Sequence, residues 1–253
     1  MRTYAIINQK GGVGKSTTAL SIGAGLISKG FSVLFIDLDA QGNLSYTVGA
    51  DTAKGYNSLG ILQRPETAPQ EIQTTTQGDI IASTPALSGA DMILTDVGKE
   101  YKLKEALTAF KSNYDYCIID TPPTLGIVTI NALTACDKVI IPAQADVYSL
   151  QGISQLNNTV QTVKKYCNPA LEVAGIVLTR YNNRAIIKRE VAGILESTAE
   201  QLDTKLYKSY IRECTAVIES QATRNNIFSY APKSNAAQDY AALINEILED
   251  EKE

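Results

Sequence analysis

The sequence predicts an α/β fold: a doubly wound, mostly parallel sheet with helices on both faces. Short apolar runs alternate with helical patterns along the chain, which is the signature of βαβ units. The apolar runs are continuous rather than alternating, as strands covered on both faces require. Several of them end in a glycine loop or an aspartate, so one rim of the sheet collects these groups.

Taken in order, residues 4–9 read as a buried strand, followed by a Gly-rich turn and a helical pattern over 15–28. Residues 31–36 form a second apolar run ending at Asp37, and 79–82 a weaker strand. An amphipathic helix is expected over 99–111 and a strand over 114–119, ending at Asp120. Strands follow at 138–141 and 172–178, with helices over 125–135, 149–166, 185–201 and 235–249. The stretch 49–78 is irregular and polar and is left unassigned. No repeat or linker divides the chain, so a single domain over 1–253 is expected.

Composition narrows the function. Of 253 residues 44% are hydrophobic and 20% charged, which argues against disorder. No apolar run is long enough to span a membrane, and the N-terminus lacks a signal-peptide pattern, so a cytoplasmic location is expected. There is no histidine, which removes the commonest general base. The four cysteines are far apart and form no CxxC pair, so a zinc or cluster site is not expected. The net charge of −4 is uneven: residues 180–233 carry +3 and residues 234–253 carry −5.

Residues 8–17 read Asn-Gln-Lys-Gly-Gly-Val-Gly-Lys-Ser-Thr, between a strand and a helix. Backbone N–H groups of Gly11, Gly12, Val13 and Gly14 can turn inward around phosphate oxygens, and the helix N-terminus adds its dipole. Lys15 supplies a cation for the β- and γ-phosphates, Ser16 a hydroxyl for Mg²⁺, and Thr17 completes the loop. The ordinary phosphate-loop pattern requires glycine where Gln9 stands, and a second lysine, Lys10, lies beside it.

Two carboxylate motifs follow. Asp37 and Asp39, at i and i+2 after a strand, point the same way. They either face the phosphates or cap a short helix near 41–46. Asp120 ends the strand Tyr-Cys-Ile-Ile-Asp and precedes Thr-Pro-Pro, the arrangement of a carboxylate placed near Mg²⁺.

The Lys-Gly-Gly-x-Gly-Lys-[Ser/Thr] loop resembles the deviant phosphate loop of the ParA/MinD ATPases. Residues 125–146 and 226–240 resemble the partition branch specifically, and the likeness runs over about 3–248. The resemblance implies ATP and Mg²⁺ as cofactors, with Ser16, Asp37 and Asp120 on the metal side and Asp39 orienting the attacking water. It implies an ATP-bound homodimer in which Lys10 reaches the partner's phosphates. Asn182, in a loop like the family's adenine-side loop, is the candidate base reader, although asparagine there also suits a left-handed turn. It further implies non-specific double-stranded DNA binding with Arg184, Lys188, Arg189, Arg212, Arg224 and Lys233 as candidates. Glu213 stands where relatives often carry arginine, and an ordinary solvated charge is an equal reading for each candidate.

The function expected is an ATP-dependent DNA partition ATPase, nucleoid-associated when ATP-bound. A ParB-type partner would stimulate its slow hydrolysis. A MinD-like membrane-surface ATPase is the alternative, but the apolar face of the last helix is flanked by acidic rather than basic residues. A metabolic or electron-transfer relative on the same scaffold is a third reading, though the four cysteines match no cluster arrangement; ATPases that position other cargo share the same chemistry. Nothing in the chain suggests an N-terminal repressor domain, and the short form is expected.

Overall fold

A computed structural model describes residues 1–252 except 54, 56, 183–185 and 202; the side chains of 147, 186–189 and 201 are outside the description as well. Seven strands form one sheet: β1 (Arg2–Ile6), β2 (Val33–Asp37), β3 (Ile72–Thr75), β4 (Gly78–Ile81), β5 (Tyr116–Asp120), β6 (Lys138–Ala143) and β7 (Glu172–Leu178). Their order is β3-β4-β2-β5-β1-β6-β7, and every pairing is parallel except β3 with β4. The helices include α1 (Lys15–Ser28), α2 (Asn43–Val48), α3 (Ser58–Gln63), α4 (Ala90–Ile93), α5 (Lys102–Leu107), α6 (Ile127–Ala135), α7 (Val147–Tyr166), α8 (Ile186–Gln201), α9 (Thr215–Ala222), α10 (Ile227–Tyr230) and α11 (Asn235–Asp250).

Strand alternation splits the core in two. Leu34, Ile36, Cys117 and Ile119 face a layer built from α3, α5, α6, α7 and α8. Val33, Phe35, Tyr116 and Ile118 face α1 and α11. Tyr240, Leu243, Ile244 and Ile247 of α11 are buried, as their spacing requires of a core helix. Beyond its end, the Glu251 carboxylate accepts hydrogen bonds from Tyr4 (2.5 Å) and Tyr116 (2.7 Å) and pairs with Arg2, which fastens the C-terminus to β1 and β5.

Register sets the functional rim. Ile6, Asp120 and Asp37 lie side by side at the ends of β1, β5 and β2. The first helix leaves this rim close to the sheet because its inner face is small. A Cβ on Gly23 would lie 2.1 Å from the Phe35 ring, and one on Gly25 2.2 Å from Ile244.

The helix expected over 99–111 is broken into a 3₁₀ turn, α5 and a second 3₁₀ turn. The unassigned stretch 49–78 holds α3, a 3₁₀ segment and β3. These pieces are four to seven residues long, too short to show a period in sequence. Asn57 caps α3 by accepting from the Leu59 (3.1 Å) and Gly60 (3.2 Å) amides. No helix among the described residues is long and apolar enough to cross a membrane.

Helix propensity alone would make Gly23→Ala stabilising by about 1 kcal/mol. The Phe35 contact reverses the sign, and a net loss of about 1–3 kcal/mol is expected from overpacking. Denaturant unfolding checks this; unchanged or raised stability would mean that α1 has room to shift.

Candidate functional site

The loop after β1 is shaped before any ligand arrives. The Asn8 side chain donates to the Pro142 carbonyl (2.6 Å) and accepts from the Lys10 amide (2.9 Å). Gly12 and Gly14 have φ of 74° and 91°, a left-handed region where a side chain is strained. Gly14 caps α1 without a side-chain bond and no acidic residue lies in the first turn, so the first amides of α1 are left to an anion. The loop is thus a built phosphate cradle, continuous with a cleft of about 610 Å³ that Lys15, Ser16, Thr17 and Asp39 also line.

Lys15 is 7% exposed, and its ammonium reaches the Lys10 carbonyl at 3.3 Å. Burial lowers its pKa, while Asp120 and Asp39 act in the opposite direction. Asp120 is fully buried, and neither carboxylate oxygen has a hydrogen-bond partner. Burial, reinforced by the charge of Asp37, holds its pKa well above the ordinary carboxylate value. A buried carboxylate with open lone pairs is what a cation would satisfy. Asp120 with the Ser16 hydroxyl therefore fits Mg²⁺, whose remaining positions water and phosphate oxygens fill. No group of three or more acidic or thiol side chains forms a metal cage among the described residues, and a phosphate-bound Mg²⁺ needs none.

Asp37, expected on the metal side, is also bound into its own turn. One oxygen accepts from the Ser45 amide (2.8 Å) and hydroxyl (2.7 Å), the other from the Asp39 amide (3.1 Å). Burial pushes it up to about 6 against those bonds. Three of its four acceptor sites are thus engaged in shaping the turn into α2. Asp39 accepts from the Gln41 amide (3.0 Å), and its carbonyl accepts from the Ser83 hydroxyl. It is 8% exposed and opens into the phosphate cleft, which allows a water to be held there. Lys10 is closed within its own subunit: its ammonium pairs with Asp146 and approaches Gln144 at 3.4 Å. Asp146 also caps α7 by accepting from the Ser149 amide at 3.0 Å, and its pKa is lowered by Lys10 and these bonds against burial.

Beside the phosphate cleft lies a second, mainly apolar cavity of about 250 Å³ between Thr179, Ile211, Val217 and Tyr240. It has the size and lining to take a nucleotide base. Asn182 is exposed and does not line it; Arg180, two residues earlier, does. No spacing in the sequence marks Arg180, Cys214 or Gln221; Arg180 enters the lining just after β7, while Cys214 and Gln221 come from the start and body of α9, where Gln221 donates to Thr17 at 2.7 Å.

The DNA candidates are scattered. Arg212 is held by Asp239, with Nε at 2.9 Å and Nη2 at 2.6 Å from its oxygens, and so anchors the 205–212 segment to α11 rather than standing free. Arg224 lies over the Tyr46 ring at 4.4 Å. Lys233 is exposed. Arg184 and the side chains of Lys188 and Arg189 lie outside the described residues. Cys117 and Cys136 are buried core residues.

Residues 1–173 match the family model described as an AAA domain. The chain is 40% identical to the sporulation initiation inhibitor protein Soj of Bacillus subtilis (strain 168), over 97% of this chain and 98% of that one. It is 34% identical to the chromosome partitioning protein ParA of Caulobacter vibrioides (strain NA1000 / CB15N), over 100% and 96%. Among solved structures, it is similar to cobyrinic acid a,c-diamide synthase of Mycobacterium smegmatis with bound ATP analogue and magnesium. The TM-score is 0.84 and the identity 32%, covering 100% of this chain and 96% of that one.

In Mg²⁺-free buffer, Asp120→Asn is expected to raise stability by about 1–3 kcal/mol, because it removes a charge that burial penalises without partners. The same variant is expected to lose the Mg²⁺-dependent part of nucleotide binding. Calorimetry with and without Mg²⁺ checks both, and a stability loss in metal-free buffer would contradict the unpaired carboxylate.

Proposed function

The chain belongs to the ParA family of P-loop ATPases, and from that premise we propose that it is a DNA-partition ATPase whose MgATP-bound form dimerises and binds double-stranded DNA without sequence preference. The observation that carries the reading is the built phosphate cradle with Lys15 and the unpaired Asp120 behind it.

ATP is the nucleotide expected, with the triphosphate in the cleft and the base in the adjoining apolar cavity. Gly11, Gly12, Val13, Gly14, Ser16 and Thr17 supply backbone donors, and Lys15 neutralises the β- and γ-phosphates. Ser16 and Asp120 would hold Mg²⁺, which when bound draws charge from the phosphate oxygens. Asp39 orients the attacking water; near so many charges it works more by positioning than as a strong base. Lys10 would leave Asp146 and reach the phosphates of a second copy, where a cation offsets charge on the transferring group. Each subunit's site is therefore completed by its partner, which ties turnover to the dimer.

Non-specific DNA affinity of this kind rests on phosphate contacts. Lys233, Arg224 and the segment around 184–189 are the candidates, and Arg212 is a weaker one because Asp239 holds it. The acidic end of α11 gives no support to a membrane surface. A ParB-type partner that stimulates hydrolysis and a nucleoid location complete the proposal.

Asp39→Ala is expected to bind ATP while its turnover falls about 100-fold or more, so that the dimer persists. Phosphate release with sizing chromatography checks this, and wild-type turnover would remove Asp39 from the mechanism. DNA binding is expected with ATP but not ADP, weakening steeply with salt; mobility shift on random-sequence duplex checks it. Failure to bind under any nucleotide, together with ATP-dependent flotation on liposomes, would favour the membrane reading.

A further inference from the structure

The geometry points to Arg180 as a nucleotide-binding residue that holds the α-phosphate where the phosphate cleft meets the base cavity. The inference rests on the reading of residues 10–17 as the phosphate loop. The two cavities share five lining residues: Gly14, Thr17, Arg180, Ile218 and Gln221. A nucleotide with its β- and γ-phosphates on the loop and its base between the apolar walls must pass its α-phosphate and ribose through that shared neck. Arg180 is the charged member of the five. A guanidinium offers a planar fork of donors suited to phosphate oxygens.

The backbone supports a dedicated position. Arg180 has φ of 48°, a left-handed conformation that a long side chain rarely adopts. The residues on either side impose it. Thr179 donates through its hydroxyl to the Val13 carbonyl (2.8 Å), inside the phosphate loop itself. Tyr181 donates its amide to the Ile211 carbonyl (3.0 Å) on the far wall of the base cavity. The arginine is thus suspended between the loop and the base wall. It also lines a third cavity, of about 280 Å³, together with Asp146 and Glu213, which puts two carboxylates in the same cavity on the side of Lys10. A phosphate entering the neck competes with these carboxylates for the guanidinium.

The test is titration of the full chain with ADP and with ATP, in Mg²⁺, for wild type, Arg180→Ala, Arg180→Lys, Arg180→Gly and Lys15→Ala. Arg180→Ala is expected to lose about tenfold in affinity for both nucleotides alike, as removal of one charge-assisted contact to a group common to both would do. Arg180→Lys is expected to recover part of the loss, which a backbone effect would not produce. Arg180→Gly relaxes the left-handed backbone and is expected to lose as much as Arg180→Ala. Wild-type affinity in Arg180→Ala or Arg180→Gly, with Lys15→Ala impaired, would overturn the assignment of Arg180. Undiminished binding in Lys15→Ala would instead overturn the phosphate-loop reading beneath it.

Discussion

A carboxylate with no hydrogen-bond partner lies at the centre of this molecule. Asp120 is fully buried, level with Asp37 on the next strand and close enough to Lys15 for the lysine to feel its charge. Burying one such group is costly, and burying two side by side is more so. Much of the surrounding architecture follows from containing that cost. Asp37 is satisfied by Ser45 and the Asp39 amide, which fixes the turn into α2 and leaves Asp39 on the cleft wall. Asp120 is left for a cation and Lys15 for an anion.

Close packing holds the loop against that rim. The glycines at 23 and 25 let α1 approach Phe35 on the sheet and Ile244 on α11. Through Thr18, α1 also meets the buried Tyr240 hydroxyl at 3.2 Å. The first turn of α1, which carries Lys15 and Ser16, is thereby set by packing further along the helix and by the wall of the apolar cavity. On the other side of the cleft, α9 meets the loop through the Gln221–Thr17 contact.

The parts of this site legible in sequence are those in which one residue type has one physical use. Glycines that need a left-handed backbone, a lysine after them and aspartates closing apolar strands could be read directly, and Gly12, Gly14, Lys15 and Asp120 stand where that reading placed them. The long strands and helices were legible for the same reason, since their periods repeat. Residues 49–78 were not, because their elements span a single turn or a few pairings. Asn182 and Arg180 show the limit within the site. Both are polar residues in one loop, and only the path of the chain from β7 to the 205–212 segment decides which faces the cavity. Arg212 looked like a surface cation because its partner, Asp239, is 27 residues away in sequence. The bonds from Ser45 to Asp37 could not be read in the sequence, because Ser45 lies eight residues on, beyond the turn.

The two edges of the sheet constrain how copies of this chain can join. At one edge, β3 is four residues long, antiparallel to its neighbour and drawn from Ile-Gln-Thr-Thr, a short and polar border. At the other, β7 is covered by the segment around 206–212, which forms bridges from Leu206 to Ile176 and from Arg212 to Tyr181. Short strands and covered borders are poor templates for adding another strand. Endless growth by strand addition, the route to fibres, is closed at both ends. Contact between copies of the chain is thereby left to side-chain surfaces.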